Sequence, residues 1–576
     1  MNKLYVVSTF LLLSMANMYS TYGPGAVIKR RVDDSIRRSV NGFCSNLQNK
    51  KRGEKSEPEI IKAVAYQDFK GVKRLLRDGE DLNVKNSDGF SPIMMTIINS
   101  YVADWEKENF IGEHRYDPDP DSRAIAGYSL LIGDVVSLFS KDRTDEIVRY
   151  LLKKGADPNV KNNEGYTALM LASHLGRKDL VELLVEHGAD VDAKNNAGDT
   201  ALMIATCKRN KKTIKLLLKK NADVNAVNDS LCSVLKIVTL GKNIRLVELF
   251  LKHKADPNVK DSKGNTPLME ATRNGYFKIV EALIKNKADI NMLNNNGSSA
   301  LKIAAKKGNI KFVKLFLKNK ANINIKDASG RTPLLTAIYK KKLAIARLLI
   351  ENKADVNIAD NKGFTALMVA AQMNDVRTAK ILLSKKADPN IKDNDGDSVI
   401  KLAVKNNSES FVKLLIEHKV DVNVQDKSGR TLLMDAANCK NVRMVKLLLQ
   451  NGVAPNVFDN NMSTALNVAV EVKNTAIAKL LINNNIEVNT KDINGNTPLI
   501  MAVSNNDLKM TKLLLQNNAD PNILALDGDC ALKLADQSRR GKKVRNLLVR
   551  NGAQEVSDEQ LDNALNSSDL MIARVQ

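Results

Sequence analysis

An all-α solenoid of stacked helix pairs, joined by turn-rich fingertips, is the fold class that three observations on the sequence predict. The first is a strict period. Gly165, Gly198, Gly264, Gly297, Gly330, Gly363, Gly396, Gly429, Gly495 and Gly528 lie on one 33-residue register, with Leu231 and Met462 in the two remaining slots. A fixed period of this length means a stacked array. The second is that each period carries two short apolar stripes at helical spacing, and neither can bury itself alone. The third is composition. The chain is 43% hydrophobic but only 4% aromatic, so its core must be built from Leu, Ile, Val, Ala and Met, which suits short packed helices better than a large enclosed pocket.

Taken in order along the chain, residues 1–20 read as an export signal: Lys3, an apolar run from Leu4 to Leu13, then small residues near Ala16 and Ser20. That run is too short to span a bilayer of about 30 Å, so cleavage is expected, with an uncleaved anchor as the alternative. Residues 21–56 are basic and polar, as a flexible linker would be. The array is expected over 57–555, about fourteen helix pairs, followed by a polar tail over 556–576. "PEIIKAVAYQDFKGVKRLLRDGEDLNVKN" opens it and "KKVRNLLVRNGAQ" closes it, both charged enough to serve as terminal caps. One interruption stands out. Gly89 and Gly165 are 76 residues apart, which leaves an insertion over 101–143 between the two helices of one repeat. It holds nine acidic and five basic residues and the only tryptophan of a chain whose net charge is +23.

Within a repeat, "TALMLAS" at Thr167–Ser173 begins with a capping threonine. "DLVELLVEHGAD" from Asp179 is a second helix that stops at Gly188, where a left-handed residue is required. "DVDAKNNAG" supplies the Asn/Gly chemistry of a turn into the next repeat. "GYTALMLASHLGRKDLVELLVEHGADVDAKN" and "GNTPLMEATRNG" resemble the ankyrin repeat. The resemblance implies paired antiparallel helices, β-hairpin fingertips and a curved solenoid whose concave face binds proteins. One departure runs throughout. The histidine of the family's T-P-L-H motif is replaced by Met170, Met203, Lys236, Met269, Lys302, Leu335, Met368, Lys401, Met434, Asn467, Ile500 and Lys533. Its loss predicts softer coupling between repeats and unfolding in more than one step.

Lysine replaces the stop glycine in six successive repeats: Lys254, Lys287, Lys320, Lys353, Lys386 and Lys419. A non-glycine residue in that conformation costs on the order of 1 kcal/mol, and a cation at a helix C-terminus recovers ~0.3–1 kcal/mol. The ladder reads either as an electrostatic track for an anionic partner or as compositional bias that the helix dipole tolerates. His187, His253 and His418 precede the stop in separate repeats, too far apart to share a metal, and are expected to be structural. "DNDGDS" at Asp393–Ser398 lacks carboxylates at the first and last positions of a calcium loop. "RRGKKVR" at Arg539–Arg545 could be an import cluster but coincides with the cap helix. The five cysteines form no CxxC pair.

With no phosphate loop, nucleophile elbow or HExxH motif, neither an enzyme nor a cofactor is expected. The resemblance implies a scaffold for protein partners; with the N-terminal signal pattern, the expectation is an exported, periplasmic or secreted protein of bacterial type, taken as a monomer. The slots that it assigns to binding hold Tyr166, His174, Leu175, Arg273, Lys306, Lys307, Arg331, Tyr339, Lys340, Phe364, Lys405 and Arg430, and their charge suggests an acidic partner. Trp105, Phe110 and Tyr116 of the insertion are candidate aromatic anchors. Alternatives are that 124–139 folds back as a helix over the first repeats, or that the insertion's carboxylates rest on the basic face. Two other functional readings remain open: a secreted effector acting on host-cell proteins, and general polyanion binding, with nucleic acid not the expected partner.

Overall fold

Each repeat starts where a threonine leaves the extended conformation. Thr167 has φ −101° and ψ 165°, and its Oγ1 accepts the Met170 N–H at 3.4 Å. Thr200, Thr266, Thr332 and Thr497 repeat the bond. The first helix is short, as in Ala168–Leu175 or Pro333–Tyr339, and is buried almost completely along its length. A second helix, such as Lys178–Glu186 or Val442–Gln450, packs back on it through one apolar stripe.

The computed structural model describes residues 31, 57–65, 67–98, 141–538 and 541–555. The expectations placed on the export signal, the linker other than Arg31, Cys44, Trp105, Phe110, Tyr116 and the tail lie outside these residues. The interrupted repeat has its first helix at 92–98 and its second at Lys141–Lys153. Residues 141–143 therefore belong to a helix that buries Ile147, Val148 and Leu151, and not to the insertion. Packing divides the chain at 303/304, within the helix Ala300–Lys307, into two units. In the first, Ala168–Leu175, Ala201–Cys207, Val234–Leu240 and Pro267–Asn274 form a continuous row of first helices. In the second, the row runs from Pro333–Tyr339 to Ala531–Gln537. Among the described residues no helix is long and apolar enough to cross a membrane.

The second helices end on a shared device. The residue after the helix turns its side chain back to the carbonyl four residues earlier. His187 Nδ1 lies 2.9 Å from Leu183 O, and His418 Nδ1 lies 2.9 Å from Leu414 O. Asn286 and Asn517 donate to Ala282 O and Leu513 O at 2.8 and 2.7 Å. Leu183 O, Leu414 O and Ala282 O also accept the backbone N–H of that same residue, at 3.2, 3.3 and 3.1 Å, so the side chain adds a second bond at the helix end. The next residue is left-handed: all six ladder lysines are exposed and have φ between 56° and 65°. Replacing the six with glycine should stabilise the array by a few tenths to about 1 kcal/mol per site, less any lost dipole contribution. An unchanged urea midpoint would mean that the lysine backbone carries no strain.

Two features differ from what the resemblance implies. The fingertips are turns closed by single antiparallel bridges, such as Lys194–Thr200 and Gln425–Thr431, and no strand occurs among the described residues. The physical reason is an Asx turn. Asn162 Oδ1 accepts the N–H groups of Glu164 and Tyr166 at 3.0 and 2.8 Å, and Asp393 does the same for Asp395 and Asp397.

The second difference is that bonds which do not involve the family's histidine join one repeat to the next. Asn225 donates to Lys254 O at 3.3 Å and accepts the Asp256 N–H at 2.7 Å; Asn357, Asn456 and Asn522 make the same paired bonds to the repeat that follows each. Fingertips are linked too, as in Asn196 N–H to Glu164 O at 3.0 Å. In the histidine slot itself, Lys236 reaches forward to Asp261 of the next repeat at 2.9 Å. The Asn467 amide oxygen instead accepts the N–H of its own cap residue, Thr464, at 3.0 Å.

Candidate protein-binding face

Two positions per repeat shape the face beside the fingertips: the residue after the tip glycine and the residue eight further on, at the end of the first helix. The first unit presents Tyr166 with His174, Asp199 with Cys207, and Asn265 with Arg273. The second presents Arg331 with Tyr339, Phe364 with Gln372, Asp397 with Lys405, and Arg430 with Asn438.

Most of the expected cationic contacts are already neutralised. Arg273 pairs with Glu270 at 2.5 Å and donates to Asn265. Arg331 pairs with Asp360 at 3.4 Å while its guanidinium sits 4.2 Å from the Tyr339 ring centre. Tyr339 in turn donates to Asp360 at 3.2 Å. Burial, and then the Asp360 charge, raise the pKa of its phenol. Lys405 binds Asp397 at 2.6 Å and Arg430 binds Asp435 at 3.4 Å. The expected cationic cluster from Arg273 to Arg430 is thus partly cancelled, by carboxylates 3 or 8 residues before a cation and 5 or 29 residues after one. Behind this layer lies Lys401, fully buried, at 2.5 Å from Asp435 and 3.3 Å from Asp426, with a hydrogen bond to Arg430 O at 2.7 Å.

Three of the expected cations differ. Lys306, Lys307 and Lys340 are exposed, and none pairs with a carboxylate among the described residues. Their loops adjoin: a β-carbon on Gly308 would lie 3.2 Å from Lys342 Cδ. The second unit thus places an uncompensated basic patch at two neighbouring first-helix ends.

The aromatic and histidine positions fall elsewhere. Tyr166 and His174 are only 2% and 3% exposed, so they are lining groups and not projecting contacts. Phe364 and Leu175 are half-buried. Sequence reasoning missed Asp199, a carboxylate with a side chain fully buried beside Tyr166. Burial raises its pKa against the opposing bond from Asn228 and the charge of Arg31. The signal was available, since Asp199 stands in the register position of Asp397 without a lysine eight residues later. Cys232 is buried, which pushes its thiol up to about 11, so it stays protonated and unreactive at neutral pH.

Family models described as ankyrin repeats match residues 137–228, 235–327, 304–393, 400–492 and 480–535, together well over half of the chain. The chain is similar to "Ankyrin repeat and SAM domain-containing protein 6" of Mus musculus, with 28% identity over 127 residues, 22% of this chain and 13% of that protein. The Rattus norvegicus protein of the same name matches over the same extent. The aligned region therefore spans only a small part of either relative. Among solved structures, the ankyrin repeat domain of Bcl-3 aligns at 27% identity over 38% of this chain and 99% of that one, with a TM-score of 0.36.

Proposed function

Because the chain belongs to the ankyrin-repeat family, whose repeats generally mediate protein–protein interaction, we propose that it is an exported, non-enzymatic scaffold that holds an acidic segment of a protein partner. The observation that carries this reading is the contrast between Lys306, Lys307 and Lys340, which are exposed and uncompensated, and Arg273, Arg331, Lys405 and Arg430, which are neutralised within the array. An exposed cation is available to a partner at little desolvation cost, whereas a paired one must first give up its carboxylate. Export rests on the pattern of residues 1–20 alone.

A 20-residue peptide of alternating Glu and Gly, titrated into the full chain at 0.15 M salt, provides the test. Reversing Lys306, Lys307 and Lys340 to Glu should weaken binding by about tenfold or more, since each exposed contact is worth roughly 0.2–1 kcal/mol and reversal adds repulsion. Reversing Arg273 and Arg430 should do less. Equal losses from both sets, or none from the first, would overturn the assignment. Single-stranded DNA binding more tightly than the peptide, with a steep salt slope, would favour general polyanion binding instead.

A further inference from the structure

Asp199 follows the tip glycine Gly198 and its side chain is fully buried. Its two oxygens are used differently. Oδ1 accepts the Asn228 amide at 2.7 Å, a bond from the next repeat. Oδ2 faces Arg31 NH1 at 3.4 Å, across 168 residues of chain. Burial and then the Asp199 charge raise the pKa of the Tyr166 phenol, and burial, Cys232 and Asp199 act likewise on the Cys207 thiol, so both groups feel the carboxylate's charge.

The fold does not demand a carboxylate at this register position, which elsewhere holds Tyr166, Cys232, Asn265, Ser298 and Phe364. The second unit has two, Asp397 and Asp529, and each repeat supplies its own cation: Lys405, eight residues on, at 2.6 Å, and Lys533, four residues on, at 2.7 Å. Eight residues after Asp199 stands Cys207, a half-buried thiol that carries no positive charge. A buried carboxylate without a cation is strongly unfavourable, so this site takes its cation from outside the array. The Arg31 contact fills the need loosely. It is long, made through a single nitrogen, and leaves the arginine side chain 40% exposed. A bidentate guanidinium–carboxylate pair would be shorter, near 2.7–2.9 Å, and stronger.

We propose that Asp199, braced by Asn228 and walled by Tyr166 and Cys207, is a guanidinium-binding site that Arg31 occupies in cis, and that an arginine-bearing segment of a partner protein binds there by displacing Arg31. The site is separate from the lysine patch and opposite in charge preference, so it does not depend on the acidic-partner reading. Arg31 acts as a built-in competitor, lowering apparent affinity by the fraction of time it fills the site.

The test uses the full chain and a fluorescent synthetic peptide of sequence AVIKRRVDDSI, which corresponds to residues 26–36. Arg31→Ala should bind the peptide about tenfold more tightly than the parent, because the competitor is gone. Adding Asp199→Asn should abolish that gain, as should alanine in place of the peptide's second arginine. Asp199→Asn keeps the side-chain shape; should it impair folding by circular dichroism, Cys207→Lys in the Arg31→Ala chain decides. It recreates the Asp397–Lys405 arrangement and should block the peptide in a folded protein. Equal binding by the parent and the Arg31→Ala chain, or binding indifferent to both Asp199→Asn and Cys207→Lys, would overturn the proposal.

Discussion

Lys401→Met will destabilise the second unit by about 3–5 kcal/mol, the loss expected when one partner of a buried ion pair is removed. The Lys401 side chain is fully buried, and its ammonium serves Asp435, Asp426 and the Arg430 carbonyl at once. Methionine fills the volume, and indeed occupies the equivalent slot at Met368 and Met434, but it leaves two poorly exposed carboxylates without their cation. Adding Asp426→Asn and Asp435→Asn to Lys401→Met should recover most of the loss, because the penalty belongs to the stranded charges and not to the missing lysine. Urea titration reads both. A single-variant loss below 1 kcal/mol would show that the cluster is solvated.

The same cluster has a defined acid limit. Burial opposes ionisation of Asp426, yet the N–H groups of Arg430 and Ser428 and the charge of Lys401 outweigh it and hold its pKa below the ordinary carboxylate value. For an acid depressed in the folded state, the stabilisation is complete above the unfolded pKa, roughly 3.9, and disappears as pH falls through the lower folded value. Acid sensitivity in that window should therefore be smaller in Lys401→Met than in the parent.

Gly165→Val should cost about 3 kcal/mol by a different mechanism. Gly165 has φ +80°, which a β-branched residue tolerates poorly. Its missing β-carbon is also a matter of space: one placed there would lie 2.6 Å from the Asn196 backbone nitrogen. The next fingertip must retreat, and the Asn196 N–H to Glu164 O bond at 3.0 Å is lost with it. The chain contains its own comparison. Leu231 occupies this slot at φ 51°, and among the described residues the corresponding bond between Ser262 N–H and Ser230 O is not formed; nor is the equivalent bond between Lys427 N–H and Asp395 O beside Gly396, so the slot residue alone does not decide it. Met462, at φ 58°, retains its equivalent, from Ile493 N–H to Asn461 O at 2.9 Å. Leu231→Gly should therefore stabilise by about 1 kcal/mol through relief of the left-handed strain. Slower hydrogen exchange at Ser262 would show the fingertip bond restored; unchanged exchange at Asn196 in Gly165→Val would refute the packing argument.

Whatever depends on neighbours within about four residues was legible in the sequence. The period, the threonine caps, the αL stops at Gly188 and at the six lysines, and the Asn and Asp turns all follow from local backbone chemistry, which acts before any repeat meets another. The family followed from the same features. Apart from the local Arg273–Glu270 pair, three residues apart on one helix, the pairing that decides which charges are free reaches beyond that range. Pairs such as Arg331–Asp360 and Lys401–Asp426 are 29 and 25 residues apart, so no local rule foretold that most of the expected cationic face is neutral while Lys306, Lys307 and Lys340 are not. The bonds that join repeats across the histidine-less slots were hidden for that reason, since they run from one repeat to the next through Asn225, Asn357 and Lys236. Arg31 and Asp199 are the extreme case, since a pair 168 residues apart exists only because the stacked repeats set a buried carboxylate where the segment before the array can reach it.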